Sequence, residues 1–164
     1  MIEKLVELLS GVPSPLAVLI ISTIPIGELR ASIPVGIFTY HLNVLPVFVF
    51  SVIGNLLPVI FILLFLQRAD NFLRKKSKTF AGFFDWLYKR TYKRGGERFK
   101  KLGAIALILF VAIPLPMTGA WTGAVLASLF NVEFKKAFPL ITLGVIISGI
   151  IVSLASVFAH KIIF

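Results

Sequence analysis

The stretch LNVLPVFVFSVIGNLLPVIFILLFL, residues 42–66, contains 25 consecutive residues without a charged side chain. A helix needs about 20 apolar residues to cross roughly 30 Å of hydrocarbon, so this stretch predicts a transmembrane helix. A second run of 23 uncharged residues, 137–159, predicts another.

The composition also favours a membrane protein. Of the 164 residues, 58% are hydrophobic and 15% are charged, against roughly 45–50% and ~25% in soluble domains. Such a chain has too little polar surface to cover a water-soluble globule, which argues against a soluble enzyme. The length fits one membrane domain, 1–164. Because the chain has no cysteine, disulfides, thiol chemistry and cysteine-ligated metals are excluded.

The net charge of +10 is concentrated in residues 67–101, which hold twelve of the 17 Lys and Arg. Basic residues beside membrane spans mark the cytoplasmic side, so this segment predicts a cytoplasmic loop of a cell-membrane protein rather than a nucleic-acid site. Its apolar residues have helical spacing, which predicts an interfacial amphipathic helix on anionic lipid headgroups, ending at Gly95-Gly96. The predicted anchor residues are Phe80, Phe84, Trp86, Lys89, Arg90, Lys93 and Arg94.

Two further apolar regions are interrupted, so that each piece is too short to cross a membrane. Proline disrupts a helix interior, and the predicted breaks are at Pro25, Pro34, Pro114 and Pro116. Each region is either one long kinked span or a re-entrant hairpin. Irregular backbone at membrane depth persists only where protein buries it or water reaches it.

An internal repeat favours the hairpins. The pair Ile-Pro at 24–25 recurs at 113–114, and Asn-Val at 43–44 recurs at 131–132. We therefore expect an all-α membrane protein with two inverted repeats, each a re-entrant broken hairpin followed by a transmembrane helix, with the cytoplasmic amphipathic helix between them. The alternative is two unrelated Pro/Gly-rich membrane segments. The predicted boundaries are 12–66 for the first repeat and 102–160 for the second.

Glu28 and Arg30 are the strongest functional candidates, because no other residue between Leu8 and Leu66 is charged. An ionised side chain near the bilayer centre costs about 2.5–3.5 kcal/mol on insertion scales and normally faces a cavity or a partner. One interpretation is a mutual ion pair that locks the hairpin tip. In the other, Arg30 binds an anion and Glu28 takes up and releases a proton during transport.

The second interrupted region offers polar and backbone groups instead of charges. Thr118 and Trp121 are candidates, and a helix that begins near Gly119 would present N–H groups to an anion. Trp121 is equally explained by packing at the interface. Asn55 is a further candidate, although a membrane asparagine more often joins helices. No His, Asp or Glu cluster has metal-ligand spacing and no hydrolase motif occurs, so we expect no metal, no cofactor and no enzyme activity.

The segments GELRASIPVGI (Gly27–Ile37) and FVAIPLPMTGAWTGAVLASLF (Phe110–Phe130) resemble the two signature segments of the small multidrug export family, a relative of the DedA or VTT-domain (SNARE-associated) superfamily. The resemblance implies paired re-entrant hairpins and proton-motive-force-dependent movement of lipids. It matches Glu28 to the acidic residue of the DedA-like first hairpin and Arg30 to the E-L-R signature. One departure is that DedA proteins carry arginines in the second hairpin, whereas Phe110–Gly123 has none.

Together these features predict a small homo-oligomeric prokaryotic transporter. Its expected activity is proton-coupled translocation of an anionic lipid or a polyprenyl-phosphate carrier, at a site formed by the two hairpin tips. Two alternatives remain. One is export of small cationic or drug-like molecules, with Glu28 holding the cation. The other is a membrane-organising scaffold without transport, held by its basic helix.

Overall fold

The computed structural model describes residues 6–114 and 118–163, and within these ranges the chain is helical with no β-strand, which confirms the all-α class. Two short helices come first, then one long helix, a group of short helices, and a second long helix. The main helices are α1 (Ser14–Thr23), α2 (Glu28–Pro34), α3 (Val44–Lys76), α4 (Lys78–Thr91), α5 (Glu97–Leu102), α6 (Ala104–Ala112), α7 (Ala120–Leu129) and α8 (Phe134–Ile163).

Helices α3 and α8 are long and apolar enough to cross a membrane, which confirms the two predicted spans by length and composition. Helix α3 continues past the apolar run to Lys76. An ion pair one turn apart supports this extension, since Arg74 Nε lies 2.9 Å from Asp70 Oδ1.

The helices around the predicted interruptions are short. Helix α1 has 10 residues and α6 has 9, which at 1.5 Å per residue is about half of the hydrocarbon thickness. Each ends on an extended isoleucine: Ile24 has ψ 131° and Ile113 has ψ 117°. Pro25 and Pro114 follow these isoleucines directly, so both interruptions occur at an Ile-Pro step.

The predicted break at Pro34 is wrong. Pro34 has φ −57° and ψ −44°, and the helix continues beyond it as a π-helical turn, Val35–Thr39. Proline has a helical φ but lacks the N–H that would donate a hydrogen bond within the helix. The i→i−5 hydrogen bonds of the π-helical turn, such as that from Tyr40 N–H to the Val35 carbonyl at 3.1 Å, continue the helix beyond it. Pro116 lies outside the described residues.

The chain divides into two compact units, Met1–Leu57 with Val145–Phe164, and Pro58–Gly144. In the first unit α1 packs on α2, and Gly54 of α3 approaches α1 so closely that a Cβ there would collide with the Leu19 carbonyl oxygen. In the second unit α6 packs on α7, and a Cβ on Gly144 of α8 would lie 3.0 Å from the Ile108 carbonyl oxygen. Gly144 follows Gly54 by 90 residues, and Ile108 follows Leu19 by 89 residues.

Candidate functional site

Glu28 is the first residue of α2 and has an unusual combination of burial and backbone geometry. Its relative exposure is 5%, and its φ is 51°, in the left-handed region that residues other than glycine rarely adopt. The amide of Glu28 donates to the Ile24 carbonyl at 3.0 Å, which closes the turn after α1. The turn therefore directs a buried carboxyl side chain from the start of a helix, where the helix dipole favours negative charge.

Arg30 lies two residues further along α2 and is partly buried. The Glu28 carboxylate attracts its guanidinium electrostatically. The two predicted site residues therefore belong to one charged group at the tip of the first broken helix pair. Such an arrangement can hold an anion on the arginine, a proton on the glutamate, or both charges against each other.

Three buried serines extend this polar region and were missed by the sequence analysis. The Ser32 hydroxyl donates to Ser51 Oγ at 2.7 Å, and the Ser22 hydroxyl donates to the Ser51 carbonyl at 2.6 Å. Ser32 follows Glu28 by four residues and so shares its face of α2. These bonds join α1 and α2 to α3 directly beneath the tip. Serine is common in membrane helices as a packing residue. These three serines differ from an ordinary packing serine only because their hydrogen bonds join different helices.

Asn55 continues the polar line along α3, one turn after Ser51. Its side chain is 1% exposed, and its Oδ1 atom has no hydrogen-bond partner among the described atoms of the protein. A buried polar atom without a partner costs free energy. Asn55 therefore has an unused hydrogen-bond acceptor.

The second broken pair has a different chemistry. Gly119, with φ 137°, precedes α7, and Ala120 is fully buried at the start of that helix. The Thr118 hydroxyl donates to the Ile113 carbonyl at 3.1 Å, which ties the two ends of the interruption together. Trp121 is partly buried in the first turn of α7. The positive φ of Gly119 thus lets the chain turn sharply into a buried helix start.

The aromatic residues of the basic segment do not all lie on one exposed face. Phe80 and Trp86 of α4 are 45% and 52% exposed, as the predicted anchor requires. Phe84 is 4% exposed, and its ring packs against Phe83 and Tyr88. Including Phe84 in the anchor is therefore wrong, because its position on α4 faces the interior and Phe83 is exposed instead.

The basic residues follow along the same helix and the turn after it. Lys89, Arg90 and Lys93 are exposed, and Arg94 is partly buried. The predicted helix end at Gly95-Gly96 is wrong, because a π-helical turn, Tyr92–Gly96, connects α4 to α5. A hydrogen bond of 2.8 Å from Tyr92 Oη to Glu97 Oε1 bridges this turn.

Within residues 6–114 and 118–163, no group of three or more His, Asp or Glu side chains is placed to hold a metal ion. Residues 28–151 match the sequence family described as "Putative small multi-drug export protein". The match begins at the start of α2, so it includes the basic segment and the second broken helix pair but not α1. Neither the curated proteins nor the solved structures contain a significant match to the chain.

Proposed function

Because the chain belongs to the small multi-drug export family, we propose that it is a membrane transporter whose working residues are Glu28 and Arg30. The observation that carries the proposal is the buried carboxyl group of Glu28 in a left-handed turn of an interrupted membrane segment. Strained backbone of this kind persists where the surrounding structure enforces it, and it is concentrated at functional sites.

Glu28 acts in this proposal as the proton carrier. A carboxyl group that alternates between water and an apolar interior changes its protonation state, and this couples proton movement to a change in conformation. The serine pairs below the tip hold α1 and α2 against α3. Asn55 supplies an unused oxygen on α3 that can accept a hydrogen bond from water.

Arg30 acts as the receptor for an anionic headgroup. Guanidinium groups bind phosphate through several parallel hydrogen bonds, so the favoured substrate is an anionic lipid or a polyprenyl phosphate. The second candidate is export of cationic, drug-like solutes, which the description of the family favours. In that case Glu28 holds the cation and Arg30 is structural.

The membrane arrangement that fits this function is an inverted repeat of re-entrant hairpins. It is supported by the short helices on either side of each Ile-Pro step and by the matched glycine contacts of Gly54 and Gly144. It is also supported by left-handed residues at equivalent places before the two spans, His41 with φ 50° and Asn131 with φ 53°. Broken helices in such repeats form transport sites in many secondary transporters.

The test is transbilayer movement of a polyprenyl phosphate in proteoliposomes, with and without a pH gradient. We expect Arg30→Ala to slow movement by about 10-fold or more, because a charge-assisted hydrogen bond contributes about 1.5–3 kcal/mol. We expect Glu28→Gln to remove the dependence on the gradient. Glu133→Gln and Lys135→Ala are matched controls, since both residues are exposed at the start of α8.

A second arm replaces the lipid with a cationic dye. Dye export that needs Glu28 and not Arg30 would favour the second candidate, export of cationic solutes. If neither substrate moves faster than in empty liposomes, or if the control variants lose as much activity as the tip variants, Glu28 and Arg30 are not transport residues.

A further inference from the structure

We propose that α4 and the π-helical turn after it form a specific site for one anionic phospholipid, with a basic pocket for the phosphate and an adjoining aromatic groove for an acyl chain. This site is separate from Glu28 and Arg30. It also differs from a diffuse basic surface, because two cavities of different chemistry lie next to each other along α4.

The basic pocket has a volume of about 410 Å³ and is lined by Trp86, Lys89, Arg90, Lys93 and Arg94. Four of these five described lining residues are cations and none is an acid. The Arg90 guanidinium lies 5.0 Å from the centre of the Trp86 ring, so that the indole ring forms one wall of the pocket. Burial, and then repulsion from Arg90, lower the pKa of Arg94. A bound phosphate would offset this crowding of like charges.

The aromatic groove has a volume of about 350 Å³ and is lined by Leu73, Thr79, Phe80, Phe83 and Phe84. Thr79 is the one polar side chain among these described lining residues, so the groove suits a hydrocarbon chain. The centres of the Phe83 and Trp86 rings are 6.1 Å apart, and these two residues join the groove to the pocket. An amphiphile with an anionic head and an acyl chain therefore matches both cavities at once.

The occupant is a phospholipid rather than a soluble anion, because exposed aromatic side chains accompany the cations. Phe83 is 53% exposed and Trp86 is 52% exposed. Amphipathic helices bury such residues in the boundary between headgroups and acyl chains. The cations next to them then lie at the depth of the lipid phosphates.

The experiment uses the intact chain in a neutral detergent, titrated with dioctanoyl phosphatidic acid. The chain has two tryptophans, so a Trp121→Phe background makes Trp86 the only indole reporter of fluorescence. We expect saturable binding of one lipid per chain. Native mass spectrometry of the unaltered chain counts the bound lipids independently.

Two pairs of variants separate a site from general electrostatics. Lys89→Ala/Lys93→Ala and Lys75→Ala/Lys78→Ala remove the same charge from exposed positions of the basic segment, and only the first pair lines the pocket. We expect the apparent Kd to rise at least about 10-fold for the first pair and less than about 3-fold for the second. Equal losses would show diffuse attraction and overturn the proposal.

The groove has its own matched comparison. Phe80→Ser changes a groove residue, and Phe72→Ser changes an exposed phenylalanine outside the groove. We expect only Phe80→Ser to weaken lipid binding. Equal binding of glycerol 3-phosphate would show a soluble-anion site, and equal binding of dioctanoyl phosphatidylcholine would show an apolar groove without headgroup selection. Either result would overturn the assignment to an anionic phospholipid.

Discussion

Glu28 combines a side chain suited to chemistry with a backbone that glycine would adopt more easily. Its φ of 51° costs an L-residue about 1–2 kcal/mol relative to glycine. We therefore expect Glu28→Gly to have a free energy of unfolding about 1–2 kcal/mol larger than Glu28→Ala, although both variants lack the carboxylate. Thermal and denaturant unfolding in detergent, followed by circular dichroism, measure this difference.

His41 provides the control for this comparison, since it has φ 50° and an exposed side chain. His41→Gly should exceed His41→Ala in stability by a similar amount, with transport unchanged in both. A Glu28→Gly variant no more stable than Glu28→Ala would show that the left-handed turn is not strained. The turn would then give no support for a functional role of this residue.

The sequence identified Glu28 and Arg30 because a charge inside a long apolar run is rare and costly. It could not identify Ser22, Ser32 and Ser51, since a serine hydroxyl can satisfy itself on its own helix without any signal in the sequence. Their roles depend on which helices meet, and that is decided by packing. Asn55 was visible as a polar residue, but its unpartnered oxygen is a property of the fold.

At the scale of helices, two glycines determine how closely the spans approach the short helices. A Cβ at Gly54 or Gly144 would meet backbone or buried atoms of α1 or α6. We expect alanine at either position to lower the free energy of unfolding by about 1–3 kcal/mol, because the packing cannot relax around a backbone carbonyl. Unfolding in mild detergent measures the loss.

Gly82 in α4 is the matched control, because a Cβ there would meet none of the described atoms within 4 Å. Gly82→Ala should raise stability by about 1 kcal/mol, the difference in helix propensity between the two residues. If Gly54→Ala and Gly144→Ala raise the free energy of unfolding as Gly82→Ala does, the spans do not approach α1 and α6 this closely.

Tyr88 couples α4 to the end of α3. Burial, and then the charge and hydrogen bond of Asp70, raise the pKa of Tyr88 to about 12, above the usual ~10. Since the folded pKa exceeds the unfolded one, the stabilisation is complete below pH ~10 and is lost as the pH rises toward 12. Titration of the tyrosinate absorbance should show a late-ionising component that Tyr88→Phe removes. If the substitution instead removes a component that ionises near the ordinary pKa of about 10, the contact is contradicted.

The positions of the two interruptions could be predicted from the sequence. An Ile-Pro step within an apolar run removes a backbone donor and favours extended geometry at the preceding residue. Pro34 misled the prediction, since it lies at the end of α2 with a helical φ and a π-helical turn continues the chain beyond it. Phe84 misled it for another reason. Apolar residues at positions i, i+3 and i+4 form a stripe along a helix. Which residues of that stripe are buried depends on the neighbouring helix.

At the scale of the whole molecule, the sequence establishes the class and the order of the elements better than their association. The apolar runs determine the two spans, and each Ile-Pro step marks an interruption between short helices. The two compact units cut across both spans, at Leu57 and at Val145. The hydrophobic periodicity of the sequence does not predict this division, because the division depends on contacts between residues far apart in the chain.

The membrane topology is directly testable, because the chain has no cysteine. Single cysteines at Ser10, Asn43, Lys101 and Lys135 bracket the two broken helix pairs, and all four positions are exposed. If each pair is re-entrant, an impermeant maleimide labels positions 10 and 43 from outside intact cells. Positions 101 and 135 then react only after the membrane is opened, as the positive-inside rule requires for the basic segment.

Kinked full spans give a different pattern, because each broken pair then carries its ends to opposite sides of the membrane. Positions 10 and 43 would differ in labelling, and so would 101 and 135. Labelling of both pairs from the same side would instead exclude an inverted repeat while keeping the hairpins. Re-entrant inverted repeats are therefore supported by one pattern only. In that pattern the two broken helix pairs, at Pro25 and at Pro114, enter the membrane from opposite sides, which is the arrangement that the proposed alternating access needs.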